Sequence, residues 1–248
     1  MKNKEKKDIG SVGKSNNKTF NKEYTANNIS AYIDHTLLKP EATVKDIKKL
    51  CSEAKEYKFA AVCISPSYVE LATRELKGSE VIVCTVIGFP SGAHEPEVKM
   101  LETKRAIENG AKEIDMVINI GALKSKNYDL VFRDIKSVCE ICEKNGVHCK
   151  VIIETAMLTY NEKVKACELV KNGGANFVKT STGYGPHGAT VEDVKLMSSV
   201  MLDSGIEIKA AGGIRTLEKA LDMINAGATR IGTSSGINIV KATENLSI

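Results

Sequence analysis

"KNGGANFVKT", Lys171–Thr180, packs the end of a helix-like run, a glycine pair and a short apolar strand into one stretch. The same order recurs in "ENGAKEIDMV", Glu108–Val117, and in "INAGATRIGT", Ile224–Thr233, each with Gly then Ala ahead of an apolar run. Glycine just past a helix tolerates the left-handed backbone at which helices stop. Three handovers of one kind predict a repeating helix–strand unit. Working outward, short apolar segments fall at 31–34, 60–64, 81–88, 113–119, 150–155, 176–180, 206–212 and 230–235. The stretches between them carry helical spacing. Val44, Ile47, Leu50, Cys51 and Ala54 share one face, as do Val131, Ile135, Val138, Cys139 and Cys142, and later Leu217, Leu221 and Ile224. Strands this continuously apolar belong to a parallel sheet covered on both faces. Eight such units in about 220 residues predict an α/β protein of the (β/α)8 TIM-barrel class. A doubly wound sheet would show G-x-G-x-x-G after its first strand; here "DHTLLKP", 34–40, holds no glycine.

Composition narrows the function classes. The 248 residues carry 35 basic and 31 acidic side chains, a net charge of +4, which is not the footprint of a nucleic-acid surface. Residues 1–22 hold seven lysines against Glu5 and Asp8, with few apolar side chains. Residues 1–26 are therefore expected to form a flexible basic arm, and 27–248 a single barrel domain. The arm lacks the apolar run of about seven residues that a secretory signal needs. No segment approaches the roughly twenty apolar residues of a membrane span. Seven cysteines in a chain that needs no staples fit a reduced, cytoplasmic protein. Cys139, Cys142, His148 and Cys149 could in principle hold zinc. Cys139 and Cys142 share the apolar phase of a helix, however, and packing is the default for free cysteine.

Barrel active sites lie at the C-terminal ends of the strands. Standing there are Asp34 to Thr36, Cys63 and Ser65, Gly88 to Gly92, Asp115 and Asn119, Glu154 and Thr155, Lys179 to Gly183, Lys209 to Gly213, and Gly232 to Gly236. The sixth and seventh strands are neighbours, and Lys179 and Lys209 sit at similar depth in them. A free lysine, with a pKa of about 10.4, is no nucleophile at neutral pH. A second ammonium and burial both favour the uncharged amine. Such an amine attacks a carbonyl, and the protonated imine then makes an adjacent carbon–carbon bond breakable. The plainer alternative pairs each lysine with a carboxylate such as Asp115 or Glu207. Asp115 shares the barrel interior and could carry protons through a water. "AAGGIRT" and "GTSSG", after the seventh and eighth strands, bring small residues and serines where barrels bind phosphate. No metal set is expected, because the four histidines are scattered.

The motifs "IDHTLLKP", "AAVCISP", "EIDMVINIGALKS", "FVKTSTG", "IKAAGGIRT" and "GTSSG", in order from Ile29 to Val240, resemble the deoxyribose-phosphate aldolases. The resemblance implies a barrel that reversibly cleaves 2-deoxy-D-ribose 5-phosphate to acetaldehyde and D-glyceraldehyde 3-phosphate, with no cofactor or metal. It implies a small phosphorylated sugar as substrate, a homodimer, and a place in deoxyribonucleotide catabolism. By position, Lys179 would form the Schiff base, Lys209 would lower its pKa, and Asp115 would relay protons. Gly183, Gly212, Gly213, Gly232, Ser234 and Ser235 would hold the phosphate. Thr36, Cys63 and Thr182 would line the substrate pocket. Two departures stand out. Some members end in a tyrosine that assists proton transfer, whereas the last tyrosine here is Tyr184 and the chain closes on "KATENLSI". Tyr184 also stands where some members carry a lysine. Two other readings remain beside this one: a Schiff-base aldolase for a ketose phosphate, and a barrel that binds sugar phosphate without catalysis.

Overall fold

The computed structural model describes residues 26–244, so all but the last residue of the expected arm lies outside the described residues. From α1 (Ala26–Ser30), β1 (Ile33–Leu37), α2 (Val44–Tyr57) and β2 (Ala61–Ile64), the chain passes to α3 (Val69–Glu75) and β3 (Ile82–Ile87). Then come α4 (Pro96–Glu108), β4 (Glu113–Val117), α5 (Ile120–Lys124), α6 (Tyr128–Lys144), β5 (His148–Ile152) and α7 (Tyr160–Gly173). The last third holds β6 (Phe177–Lys179), α8 (Val191–Val200), β7 (Glu207–Ala211), α9 (Leu217–Asn225), β8 (Arg230–Thr233) and α10 (Gly236–Glu244). Each strand pairs in parallel with the next, and β8 closes on β1. The eight strands fall on the eight expected segments, so the (β/α)8 barrel is observed.

The repeated phrase does what its glycines allow. Gly110, Gly174 and Gly227 all take positive φ between a helix and the strand after it. Helix starts are fixed by side chains: Thr43 and Thr159 form capping boxes with Asp46 and Glu162.

Side chains alternate along each strand, and the alternation sorts two cores. The larger lies between barrel and helices, with Ile47, Leu50, Cys51 and Ala54 of α2 and Val131, Ile135 and Val138 of α6. A small one, inside the barrel, joins Ala61, Cys63, Cys84 and Val86 of β2 and β3. Much of the rest of the barrel interior is charged, with Phe177 among the charges. Val44 departs from its expected face: as the first residue of α2 it is exposed. In α9 the buried face centres on Leu217, Ala220 and Met223, with Leu221 and Ile224 on its flank. The first strand also runs later than expected, at 33–37 in place of 31–34, because α1 and its turn take up the residues before it.

Candidate active site

Four neighbouring strands deliver a cluster of buried charge. β4 supplies Glu113 and Asp115, β5 Lys150, β6 Lys179 and β7 Lys209, while Asp34 and Arg230 enter from β1 and β8. Lys179 and Lys209 stand in direct register, as the sequence predicts, and Asp115 is in register with Lys150. Asp115 is the centre. Its Oδ2 accepts from Lys179 Nζ at 2.6 Å and from Lys209 Nζ at 2.7 Å. Its Oδ1 accepts from Lys150 Nζ and from the Cys84 thiol, both at 3.1 Å. Lys209 also forms an ion pair with Asp34 at 2.5 Å, and Lys150 one with Glu113 at 2.5 Å. Arg230 donates to Asp34 at 2.8 Å and to Glu113 at 3.0 Å, and lies over the Phe177 ring at 5.4 Å. The lysine pair therefore does sit on a carboxylate, Asp115. Glu207, the other expected partner, is exposed at the start of β7.

For Asp34, Glu113, Asp115, Lys150, Lys209 and Arg230, burial opposes the charge and the partners outweigh it. For Asp115, desolvation would raise the pKa, yet the ammonium groups of Lys150, Lys179 and Lys209 hold it well below the usual carboxylate range. Asp34 is held down in the same way by Lys209, Lys150 and Arg230. Burial would lower Lys209, and Asp115 and Asp34 hold it well above the usual lysine value. Lys150 is raised likewise, chiefly by Asp115 once burial is overcome. The cluster counts four cations, Lys150, Lys179, Lys209 and Arg230, against three carboxylates.

Lys179 is the member of this cluster that reaches a cavity. A pocket of about 360 Å³ opens at the C-terminal end of the barrel, lined by Lys179 and by neither Lys150 nor Lys209. Of the expected site residues it brings together Thr36, Thr182, Gly183, Gly212, Gly213, Gly232 and Ser234. Its lining holds Lys39, Lys179 and Arg215 and no carboxylate, so it suits an anion. Gly212 and Gly213 turn together with φ of 87° and 70°. Ser234 lies just before the N-terminus of α10. Lys39 and Arg215 were legible only as members of the loops after β1 and β7.

Other expected residues stand elsewhere. Cys63 is wholly buried in the small core below the cavity, so it does not line the pocket; inward alternation carries it beneath the rim. Its thiol hydrogen-bonds with Cys84, which lowers its pKa against the opposing effect of burial. Ser235 lines an adjoining cavity of about 520 Å³ between α2 and α10, and donates its N–H to Thr233 at 2.9 Å. His35 points outward, bonded to Glu53 of α2 at 2.9 Å and packed on Phe59. Asn119 caps α5 through Ala122 N–H at 2.9 Å. Tyr184 lines the pocket.

Of the zinc candidates, Cys139, Cys142 and Cys149 pack together in the outer core, while His148 faces the other side of β5, 3.9 Å from Glu113. Hydrogen bonding to Cys139 and Cys142, with burial, pushes the Cys149 thiol well up. Among the described residues, the donor atoms of Cys63, Cys84 and Asp115 also gather within 4.8 Å. Asp115 is already engaged by three ammonium groups, an environment that repels a dication.

A closed parallel barrel with an interior lysine–carboxylate cluster under an anion-suited pocket fits one class of enzyme, the barrel aldolases that cleave carbon–carbon bonds. The DeoC/LacD family aldolase profile matches residues 28–242, and the chain belongs to that family. It is 57% identical over 216 residues to the deoxyribose-phosphate aldolase of Clostridium tetani, covering 87% of this chain and 99% of that one. It is 60% identical over 215 residues to that of Thermococcus kodakarensis, covering 86% and 96%. Among solved structures it superposes on the tetrameric deoxyribose phosphate aldolase of Aeropyrum pernix with a TM-score of 0.84 and 32% identity, covering 90% and 93%. Within its family the chain thus stands with the deoxyribose-phosphate aldolases. Among the described residues, no helix is long and apolar enough to cross a membrane.

Proposed function

We propose that the chain reversibly cleaves 2-deoxy-D-ribose 5-phosphate to acetaldehyde and D-glyceraldehyde 3-phosphate through a Schiff base on Lys179. The observation that carries this reading is that Lys179 alone joins the charge cluster to the pocket wall. Lys150 and Lys209 are held as ammonium by their carboxylates and lie off the pocket, whereas Lys179 stands on its wall.

The Lys179 amine adds to the C1 aldehyde of the open-chain sugar. The carbinolamine loses water and leaves a protonated imine. The C2–C3 bond then breaks: its electron pair moves toward the imine to give an enamine. The C3 hydroxyl gives up its proton, and C3 becomes the aldehyde of glyceraldehyde 3-phosphate. Protonation of the enamine carbon and hydrolysis release acetaldehyde and restore the amine. Asp115, 2.6 Å from Lys179 Nζ, is placed to pass protons through water, and Lys209 holds that carboxylate ionised from the other side. Gly183, Gly212, Gly213, Gly232 and Ser234 present backbone and hydroxyl donors to the phosphate, with Arg215 and Lys39 supplying charge. With Tyr184 in place of a lysine, those two cations carry the electrostatic part of that grip.

Borohydride reduction in the presence of acetaldehyde, read by intact mass and peptide mapping, tests the reading. One two-carbon adduct on the peptide containing Lys179 is expected. A folded protein that yields no adduct, or one on another lysine, would overturn it.

A further inference from the structure

Glu154 stands among the residues at the strand ends, and the aldol chemistry gives it no task. It follows β5, is 1% exposed, and has a left-handed backbone with φ 52°. Residues other than glycine keep that conformation only where their surroundings over-determine it. Its Oε2 accepts the Thr182 N–H at 3.2 Å and, through a short hydrogen bond, the Thr182 hydroxyl. That hydroxyl oxygen accepts the Tyr184 N–H at 3.0 Å. The Tyr184 phenol then donates across the cavity mouth to the Leu38 carbonyl at 2.7 Å, and its ring meets Phe89 edge-on at 5.4 Å. A buried carboxylate thus starts a hydrogen-bond chain that runs through the turn and ends on the opposite rim. A Cβ on Gly185 would stand 2.9 Å from Glu154 Oε1, so the turn also closes tightly over the carboxylate.

We propose that Glu154 is a positioning residue for capture of the phosphorylated end of the substrate. It acts through the Thr182–Tyr184 turn and does not touch the reacting carbon. Thr182 directs both of its protons inward to Glu154, so the turn offers the substrate its glycine, Gly183, at φ 89° on the cavity wall. Glu154 fixes where that glycine stands. The inference rests on the aldolase reading above.

The test compares wild type, Glu154→Ala and Glu154→Gln in steady-state cleavage of 2-deoxyribose 5-phosphate and of unphosphorylated 2-deoxyribose, with acetaldehyde trapping run in parallel. Glu154→Ala is expected to raise KM for the phosphorylated sugar about tenfold with kcat within about threefold. No comparable loss is expected on 2-deoxyribose, and the Lys179 adduct should form as in wild type. Glu154→Gln keeps an acceptor oxygen and should recover most of the KM. Equal losses on both sugars, an unchanged KM in Glu154→Ala, or no recovery by Gln would overturn the proposal. Where Glu154→Ala does not fold, Thr182→Val decides: it removes the hydroxyl from the chain and keeps the N–H. It should raise the same KM, and a wild-type KM there would refute the idea. Absence of an adduct in wild type would instead sink the aldolase reading itself.

Discussion

Lys150 and Lys179 are both interior lysines bonded to Asp115, and they answer to different demands. Lys150 is wholly buried and serves Glu113 at 2.5 Å and Asp115 at 3.1 Å. Removing one partner of a buried ion pair costs about 3–5 kcal/mol, because the other charge stays buried. Among the described residues Lys179 makes one hydrogen bond, and the Asp115 oxygen it serves keeps Lys209. Its removal opens the cluster to a cavity that water can enter. Lys150→Met should therefore lower Tm by roughly 6–20 °C, at about 2–4 °C per kcal/mol for a chain of this size. Lys179→Ala should lower Tm by less than half as much while losing the acetaldehyde adduct altogether. Calorimetry and intact mass on the two variants check this; a larger Tm loss for Lys179→Ala would contradict it. In sequence, Lys179 and Lys209 show because they interrupt apolar strands. Lys150 and Arg230 do not, because each opens an apolar segment and reads as its solvated edge.

At the scale of elements, the loops after β6 and β7 are held by backbone contact. A Cβ on Gly188 would lie 2.0 Å from the Gly212 carbonyl oxygen, a distance only a shift of the chain could relieve. Ala189 N–H donates to the Ala211 carbonyl at 3.0 Å, so the two loops are also tied by hydrogen bonding. Gly188→Ala should push the Gly212–Gly213 turn out of place. The expected result is a KM for 2-deoxyribose 5-phosphate raised at least about tenfold, with the Lys179 adduct still formed. Steady-state kinetics with the trapping control measure it; an unchanged KM would show that the turn does not depend on that contact. The element boundaries follow local signals such as the Thr43 and Thr159 caps and the glycines past α4, α7 and α9. The phase of β1 does not, since a two-residue offset leaves its alternation intact while moving its end.

For the whole molecule, the interior charges tie stability to pH. Asp34, Glu113 and Asp115 have folded pKa values below their unfolded ones. Their contribution is complete above about pH 4–5 and is lost as pH falls through the folded values. Lys150 and Lys209 are raised, so theirs is complete below about pH 10 and is lost only as pH rises through the higher folded values. His35 is lowered and His148 raised, and near pH 6.5 they act in opposite senses. Tm should hold a plateau from roughly pH 5 to 9 and fall on the acid side. In Asp34→Asn the fall between pH 5 and 3 should be shallower. Thermal melts across that range check it, and an equal slope in both proteins would remove Asp34 from the account.

What the sequence determined by itself was whatever rests on near neighbours: eight strands, the helices between them, and the place of Lys179 and Lys209 within two consecutive strands. Side-chain period and helix-stop glycines are local, and local preference survives into the fold. The tertiary structure decided which charges meet. Asp115 and Lys209 are 94 residues apart, and Arg230 and Asp34 are 196 apart. Only closure of β8 on β1 joins the latter pair. It also decided that His35 faces α2, that Cys63 lies beneath the pocket, and that Glu154 reaches Thr182. Whether a polar side chain points into a barrel, out of it or over its rim depends on the depth at which the strand crosses it. Closure and strand stagger set that depth, and no stretch of residues encodes it alone.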